Sequence, residues 1–291
     1  MSISHTAAFI AVKLYGLTRN PKAAEKFDPF IIRFYERLLL SLPKHLRWYH
    51  ASLKSSLIRQ FFIFSEEILL PGDLMHILCR KYYVTQHILH LLDQGYEQVV
   101  NLGAGFDHQG AYLSQKGIQV FELDRASMID QKRAFIEDES FNNEHLHFIP
   151  CDVEHQRIGD ELRKNSAFAP KKKTVFVAEG FFDYLDLIPS EHIVEDIKTF
   201  NSKNRLVTTF FSIDELNLFH RWVFKSGVSM VGETLKFKIT RDDFVELLEE
   251  LGLELKSEIT SSMMKSDFVT AIGSKLPIMK GFYVQEFKIR N

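Results

Sequence analysis

The chain is poor in the residues that build cross-linked or strongly basic proteins. Only two of its 291 residues are cysteines, Cys79 and Cys151, which excludes a disulfide framework and fits a reducing compartment. The net charge of −2 excludes the basic surface by which many proteins bind nucleic acid. We therefore expect no nucleic-acid partner and no disulfide-stabilised fold.

Long hydrophobic segments are also missing. The apolar run at 61–70 is interrupted by Glu66 and Glu67 and is too short to span a bilayer. Residues 1–9 lack the basic region and apolar core of a signal peptide. We expect a cytoplasmic protein without a membrane partner. The sequence does not indicate its oligomeric state. With 45% hydrophobic residues, the chain can still bury a sizeable core.

A metal site is not expected either. The candidate ligands are His145, His147, Cys151 and His155. Their spacing matches no standard zinc site, and the first two lie on a predicted strand.

The pattern of apolar residues divides the chain near residue 95. Residues 1–95 are poor in Gly and Pro, have helical spacing and are predicted to form a helical N-terminal cover. Residues 96–291 alternate short apolar strands with helical patterns, with a cover insertion near 212–240 where no regular element is predicted. The strands are expected at 98–103, 118–124, 145–150, 174–179, 205–211, 253–260 and 281–289. This pattern predicts an α/β fold with a mostly parallel seven-stranded sheet, helices on both faces and an antiparallel final pair, in one compact unit.

A glycine turn follows the first predicted strand. The segment Val-Val-Asn-Leu-Gly-Ala-Gly at 99–105 runs from an apolar strand into Gly103, Ala104 and Gly105. The next strand contains Glu122 and ends in an acid, Asp124, roughly 20 residues after the glycines. This arrangement is typical of a nucleotide-binding βαβ unit, in which glycines allow close approach and the acid accepts hydrogen bonds from ribose hydroxyls.

The residues after the turn favour one nucleotide over another. A dinucleotide fingerprint needs a third glycine where this chain has His108, and Asp107 would repel a pyrophosphate at the helix start. S-adenosylmethionine has no phosphate and carries a positive sulfonium, so it suits this turn better. A nicotinamide-dependent oxidoreductase is disfavoured for the same reasons. The acids Asp152 and Glu179 end the third and fourth strands, where ligands bind in open α/β sheets.

These motifs together resemble the leucine carboxyl methyltransferase family. The resemblance rests on 99–107, Phe-Glu-Leu-Asp at 121–124, Asp152 with Val153, and Val-Ala-Glu-Gly at 177–180 with Tyr184 and Leu185. It extends over roughly 70–255. The family includes protein phosphatase methyltransferases and bacterial O-methyltransferases of the polyketide type. The resemblance implies a Rossmann-like class I methyltransferase fold and S-adenosyl-L-methionine as cofactor.

The resemblance also implies roles for single residues. It places Gly103, with Ala104 and Gly105, against the methionine part of the cofactor, and Asp124, beside Glu122, on the ribose. It further implies that Asp152 and Val153 contact the adenine, that Glu179 lies near the methionine end and that Arg80 binds the cofactor carboxylate.

The chain departs from the family pattern at two places. Thr85 stands where the family usually has an acid, and the segment 107–112 lacks an arginine often found there. Both departures indicate a divergent branch of the family.

The sequence predicts methyl transfer to oxygen on a small-molecule acceptor of the secondary-metabolite type. The catalytic candidates are Glu179, Tyr184 and His220. A hydroxyl acceptor needs a general base, for which His108 and Asp183 are further candidates, whereas a carboxylate acceptor needs none. The alternatives are carboxyl methylation of a protein C-terminus and a protein that binds S-adenosylmethionine without turnover.

Overall fold

A computed structural model describes residues 5–43, 47–230, 236 and 239–290 of the chain. The chain forms two compact units. The helical unit takes the segments Met1–Tyr83, Ile213–Glu233 and Ile259–Phe282. The sheet unit takes Val84–Ser212, Thr234–Glu258 and Tyr283–Asn291. The sequence-based division near residue 95 stays a prediction.

Six helices precede the first strand. They are α1 (His5–Leu17), α2 (Pro21–Ala24), α3 (Pro29–Leu40), α4 (Trp48–Ser52), α5 (Ser56–Leu69) and α6 (Asp73–Asp93). The start of α3 illustrates their origin, since the Asp28 carboxylate accepts the N–H of Phe30 at 2.9 Å and Pro29 occupies the first helical position. Its buried stripe includes Phe34 and Leu38, which pack into the interior of the helical unit. No described helix is long and apolar enough to cross a membrane.

The sheet has seven strands. They are β1 (Gln98–Leu102), β2 (Gln119–Asp124), β3 (Leu146–Pro150), β4 (Thr174–Ala178), β5 (Arg205–Phe211), β6 (Leu253–Thr260) and β7 (Phe282–Ile289). Their order across the sheet is β3-β2-β1-β4-β5-β7-β6. The first five strands pair in parallel. In the middle of this group, Asn101 of β1 pairs with Glu122 of β2 on one side and with Val177 of β4 on the other. The predicted strands are thus confirmed.

The last two strands run antiparallel to each other. The N–H of Arg290, just after β7, donates to the carbonyl of Gly252, just before β6, at 2.9 Å. Further along, the Gln285 amide donates to the Glu258 carboxylate at 2.7 Å. Because the end of one strand meets the start of the other, the predicted antiparallel closure is confirmed.

Helices cover both faces of the sheet. The remaining helices are α7 (Gln109–Ser114), α8 (Ala126–Asp138), α9 (Ile158–Lys164), α10 (Leu187–Phe200), α11 (Leu218–Met230), α12 (Arg241–Glu250) and α13 (Ser261–Met263), with short helical turns at Phe182–Tyr184, Ile213–Glu215 and Met264–Val269. Phe121 on β2 packs in a core with residues of α9, α10 and α12. Its neighbour Glu122 contacts Lys132 of α8 instead, because successive strand residues face opposite sides.

The sequence-based prediction for 212–240 needs a correction. No regular element was expected there, but α11 occupies Leu218–Met230. Its apolar residues Leu218, Phe219 and Trp222 are exposed, so they form no buried stripe that a helical period would reveal. Residues 231–235, 237 and 238 of the predicted cover lie outside the described residues.

Candidate functional site

The glycine turn after β1 is tied to the end of β2. The N–H of Ala104 donates to the carbonyl of Leu123 at 3.1 Å, and the N–H of Gly105 donates to Oδ2 of Asp124 at 2.8 Å. Gly103 has a φ of +60°, and a Cβ there would lie 2.4 Å from the ring of Phe181. Glycine is therefore required at this position by both backbone conformation and space.

Asp124 accepts two backbone hydrogen bonds and keeps capacity for more. Its Oδ1 accepts the N–H of Arg125 at 2.7 Å, and its Oδ2 accepts that of Gly105. Burial raises the pKa of Asp124, and the Gly105 hydrogen bond opposes that rise. Each carboxylate oxygen has two lone pairs, so the group can also accept from neighbouring hydroxyls. The predicted role on a ribose fits this geometry.

Glu122, also predicted at the cofactor, is fully buried in an ion pair. Its Oε1 lies 2.6 Å from Nζ of Lys132, and both side chains are inaccessible to solvent. Lys132 also donates to the carbonyl of Ala104 at 3.3 Å, so the ion pair is hydrogen-bonded to the glycine turn. A Cβ on Gly110 would lie 2.2 Å from the Glu122 carboxylate, which shows how closely α7 packs there. The contact of Glu122 with the cofactor stays a prediction.

Lys132 was not identified from the sequence, although a signal was present. It stands on α8 between Ile129 and Phe135, at the spacing of the buried stripe. A lysine at a core position is rare unless it is paired.

The loop after β3 lies beside Asp124. The N–H of Cys151 donates to the carbonyl of Asp124 at 2.8 Å, which brings the ends of β3 and β2 together. Asp152 forms a turn in which its Oδ1 accepts the N–H of Glu154 at 3.2 Å. Val153 is half-buried against the core. The structure therefore places Asp152 and Val153 near the predicted ribose acid, as an adenine site requires.

The loop after β4 carries two of the catalytic candidates. Glu179 follows β4 directly, and its carboxylate oxygens are buried. Gly180 has a φ of +60°, and its N–H donates to the hydroxyl of Thr209 on β5 at 2.7 Å. Tyr184 ends the short helical turn that follows and is half-buried. Because β1, β2 and β4 are parallel, Glu179 lies at the same sheet edge as Gly103 and Asp124.

A lysine that the sequence analysis missed joins two of these loops. Lys236 donates to Glu154 and to Asp186, at 2.7 Å in each case, and its N–H donates to the carbonyl of Asp183 at 3.0 Å. It thus links the loops that follow β3 and β4. Lys236 lies in a segment without a predicted element, so the sequence gives no signal for this role.

His108 is unsuited to the role of general base. It is fully buried, with Nδ1 3.0 Å from Asp107 and Nε2 3.1 Å from the hydroxyl of Thr85. The amide of Gln109 donates to the same hydroxyl at 2.8 Å. Thr85 therefore directs its own hydrogen to Nε2 of His108, whose Nδ1 then donates to Asp107. The two departures from the family pattern, Thr85 and the segment 107–112, thus contact each other.

The start of α7 is already occupied by a side-chain carboxylate. Oδ1 of Asp107 accepts the N–H of Gln109 at 3.1 Å. A phosphate at this helix start would have to displace that carboxylate and would be repelled by its charge. The turn therefore fits a cofactor without phosphate, as predicted.

Arg80 and His220 belong to the helical unit. The guanidinium of Arg80 lies 5.8 Å from the ring centre of Phe282. Nδ1 of His220, on α11, lies 2.9 Å from the Asn217 side chain, which also caps the helix by accepting the His220 N–H. The predicted roles of Arg80 on the cofactor and of His220 in catalysis stay predictions.

The sequence profile of the leucine carboxyl methyltransferase family matches residues 38–198, more than half of the chain. The chain belongs to this family. A Mycobacterium marinum protein described as a candidate S-adenosyl-L-methionine-dependent methyltransferase is 26% identical over 126 residues. That match covers 43% of this chain and 39% of the relative, so the chain aligns with well under half of the relative's length.

Solved structures of low sequence identity share the fold. A Thermobifida fusca protein described as a candidate methyltransferase has a TM-score of 0.56 at 12% identity, over 80% of this chain and 89% of that one. Magnesium protoporphyrin IX methyltransferase from Synechocystis PCC 6803, solved with bound SAH, has a TM-score of 0.50 at 10% identity, over 93% and 100%. With the family match, the predicted Rossmann-like class I methyltransferase fold and the cofactor S-adenosylmethionine are confirmed.

Proposed function

We propose that this family member transfers the methyl group of S-adenosylmethionine to an oxygen of a small-molecule acceptor. The observation that carries the proposal is the hydrogen bond from Gly105 to Asp124 at the carboxyl edge of the sheet. It holds an acid with spare acceptor capacity against a glycine turn whose neighbouring helix start is closed to phosphate. This combination suits a nucleoside that carries a positive sulfonium.

The chain's own residues would bind and orient the cofactor, which when bound supplies an electrophilic methyl group on sulfur. Asp124 would accept from the ribose hydroxyls, and the loop of Asp152 and Val153 would border the adenine. Arg80 would pair with the cofactor carboxylate, for which a planar guanidinium offers two parallel hydrogen bonds. Glu122 acts through Lys132, which supports the turn at Ala104.

Alignment is the main catalytic device that we propose. Holding an acceptor oxygen in line with the methyl and the sulfur can remove about 7–11 kcal/mol of the barrier. A carboxylate acceptor needs no base, whereas a hydroxyl acceptor would use Glu179, Tyr184 or His220. Asp183 is less suited, because its Oδ1 accepts the backbone N–H of Phe211 at 3.4 Å and its side chain is buried.

A small acceptor is favoured by the aromatic residues that follow β4. Phe181 is half-buried and lies against Gly103, and Tyr184 follows three residues later. Apolar rings beside the cofactor turn suit an aromatic or acyl molecule better than a polar peptide tail.

The test is methyl transfer from S-adenosylmethionine labelled in the methyl group. The chain is incubated with a small-molecule extract and, separately, with a protein extract, and the products are separated by size. We expect label in small, organic-extractable products, and much less label with Asp124→Ala when the cofactor is subsaturating. Label that remains with protein would support the C-terminal alternative, and cofactor binding without any transfer would support a protein that does not turn over.

A further inference from the structure

The helical unit contains a cavity of about 320 Å³. Its walls come from α1, α4, α5, the first turn of α6 and the connections between these helices. The lining includes Ala8 and Gly16 of α1 and Phe62 and Ile63 of α5. None of the lining residues is among those proposed to bind the cofactor or to act on the acceptor, so the proposed methyl transfer assigns no role to the cavity.

The side chains of α5 explain why its wall is apolar. No residue of this helix is buried, although most of its residues are apolar. Leu57 and Phe61 lie on its solvent side, 80% and 67% exposed. Phe62 and Ile63 are half-buried, and both border the cavity. A molecule in the cavity would remove their apolar surface from water, which is favourable in proportion to the area covered.

The charged residues of the lining favour a neutral molecule. Lys13 lies 3.0 Å from Glu66 and also binds Asp73, and Arg59 donates to the carbonyls of Leu53 and Lys54 at 2.8 and 2.9 Å. Both cations are therefore engaged within the protein. A charged molecule would have to compete with the contacts that Lys13 makes to Glu66 and Asp73, or with those that Arg59 makes to the two carbonyls, whereas a neutral molecule leaves them intact.

Size and shape favour two fused aromatic rings. An apolar cavity of about 150 Å³ accommodates benzene, and this one is about twice as large. The rings of Tyr49 and Phe62, both in the lining, lie 5.8 Å apart at 46°. Trp48, which is outside the lining, stacks on Tyr49 at 4.2 Å. A flat aromatic molecule gains offset or edge contacts with such walls, whereas a flexible chain also loses conformational freedom. Tyr49 adds a hydroxyl that can donate a hydrogen bond to the ligand or accept one from it.

We propose that this cavity binds a neutral bicyclic aromatic molecule carrying a hydroxyl group. The cavity lining shares no residue with those proposed to hold the cofactor, and its ligand does not depend on methyl transfer.

The test is calorimetric titration of the full chain, without cofactor, with three probes of similar size. 2-Naphthol represents the proposed ligand, 2-naphthoate adds a negative charge, and 1-octanol replaces the rings with a chain. We expect one molecule of 2-naphthol per chain and at least tenfold weaker binding of the other two. Equal affinity for 1-octanol would overturn the aromatic class, and equal affinity for 2-naphthoate would overturn the neutral class.

Two substitutions locate the binding site. Ala8→Phe and Gly16→Leu each place new atoms in the cavity, and a Cβ on Gly16 meets nothing closer than 3.4 Å. We expect both to weaken 2-naphthol binding at least tenfold. Ala51→Phe makes the same alanine-to-phenylalanine change at an exposed position of α4. Its dissociation constant for 2-naphthol is expected to stay within twofold of that of the original chain.

Folding is checked by circular dichroism and by retained binding of S-adenosylhomocysteine. If either Ala8→Phe or Gly16→Leu does not fold, the folded one of the two decides the test. Unchanged 2-naphthol affinity in a folded filling variant, or no detectable 2-naphthol binding to the original chain, overturns the proposal.

Discussion

Nζ of Lys132 lies 2.6 Å from Oε1 of Glu122, and both side chains are fully buried beneath the glycine turn. Burial raises the pKa of Glu122, and the charge of Lys132 opposes that rise. Removing one member of such a pair leaves the other charge buried without compensation. The free-energy cost of removing one member of the pair is therefore expected to exceed the net stabilisation that the intact pair provides.

We expect Lys132→Met to lower the free energy of unfolding by about 3–5 kcal/mol, measured by urea denaturation. Adding Glu122→Gln should restore part of that loss, because the uncompensated charge is gone. Arg133→Met is the control, since its partner Asp130 is exposed and 4.0 Å away, and should change stability by less than about 0.5 kcal/mol. A loss in Lys132→Met no larger than the control's would contradict this account.

Asp124→Ala is expected to weaken binding of S-adenosylhomocysteine by roughly 10- to 150-fold, since hydrogen bonds to a charged acceptor contribute about 1.5–3 kcal/mol. Calorimetry measures the affinity, and circular dichroism checks the fold. Asp130→Ala, on the exposed surface of α8, is the matched control. Because burial raises the pKa of Asp124, affinity in the original chain should fall on acidification at a higher pH than for an exposed aspartate. Unchanged affinity in a folded Asp124→Ala would move the ribose site elsewhere.

Arg80→Lys tests the predicted grip on the cofactor carboxylate. A lysine keeps the charge but cannot reproduce two parallel hydrogen bonds, so the dissociation constant should rise about tenfold. Arg33→Lys makes the same change at an exposed position of α3 and should leave the constant unchanged. If both variants bind S-adenosylhomocysteine equally well, the carboxylate is bound by another residue.

The strands and the glycine turn were predictable because local sequence determines them. All seven predicted strands lie within one residue of the observed bounds. The first four are short runs ended by glycine, proline or an acid, namely Gly103, Asp124, Pro150 and Glu179. The turn was recognisable from Gly103 and Gly105 followed by Asp124. Contacts between residues distant in the chain were not predictable. Nothing in the sequence near Glu122 indicates its contact with Lys132, and nothing near Thr85 indicates its contact with His108.

The helical unit shows the same limit. Asp73 begins α6, and its carboxylate binds Lys13 of α1 and His76 of α6. Such a pairing depends on how helices pack, which a single sequence does not reveal.

Acidification should destabilise the helical unit through His76 and Asp73. Burial lowers the pKa of His76, so the folded chain resists the proton that the unfolded chain takes up near pH 6.5. Although burial alone would raise the pKa of Asp73, the hydrogen bond from His76 and the charge of Lys13 hold it well below its usual range. Stability is thus lost first as pH falls through about 6.5, from His76, and further below about pH 4, from Asp73.

His76→Leu isolates the first step. The His76 ring lies 4.4 Å from that of Phe282, so an apolar replacement keeps packing there. Between pH 7 and 5, the unfolding free energy of the original chain should fall more steeply than that of the variant, by up to about 1.4 kcal/mol per pH unit. His90→Gln, at an exposed position of the same helix, is the control. Parallel pH profiles for the original chain and His76→Leu would rule out this role for His76.

Thr85→Val tests the buried chain of hydrogen bonds that replaces the family's usual residues. Valine keeps the shape of threonine but leaves the Gln109 amide and Nε2 of His108 without the Thr85 hydroxyl. Because both groups are buried, the unfolding free energy should fall by about 1–3 kcal/mol. Thr85→Ser retains the hydroxyl and should lose less than half as much. Since Asp107 and His108 lie within three residues of the glycine turn, Thr85→Val should also weaken S-adenosylhomocysteine binding, measured by calorimetry where the variant is fully folded. Equal stability and equal affinity in the Val and Ser variants would show that this hydroxyl does not position the turn.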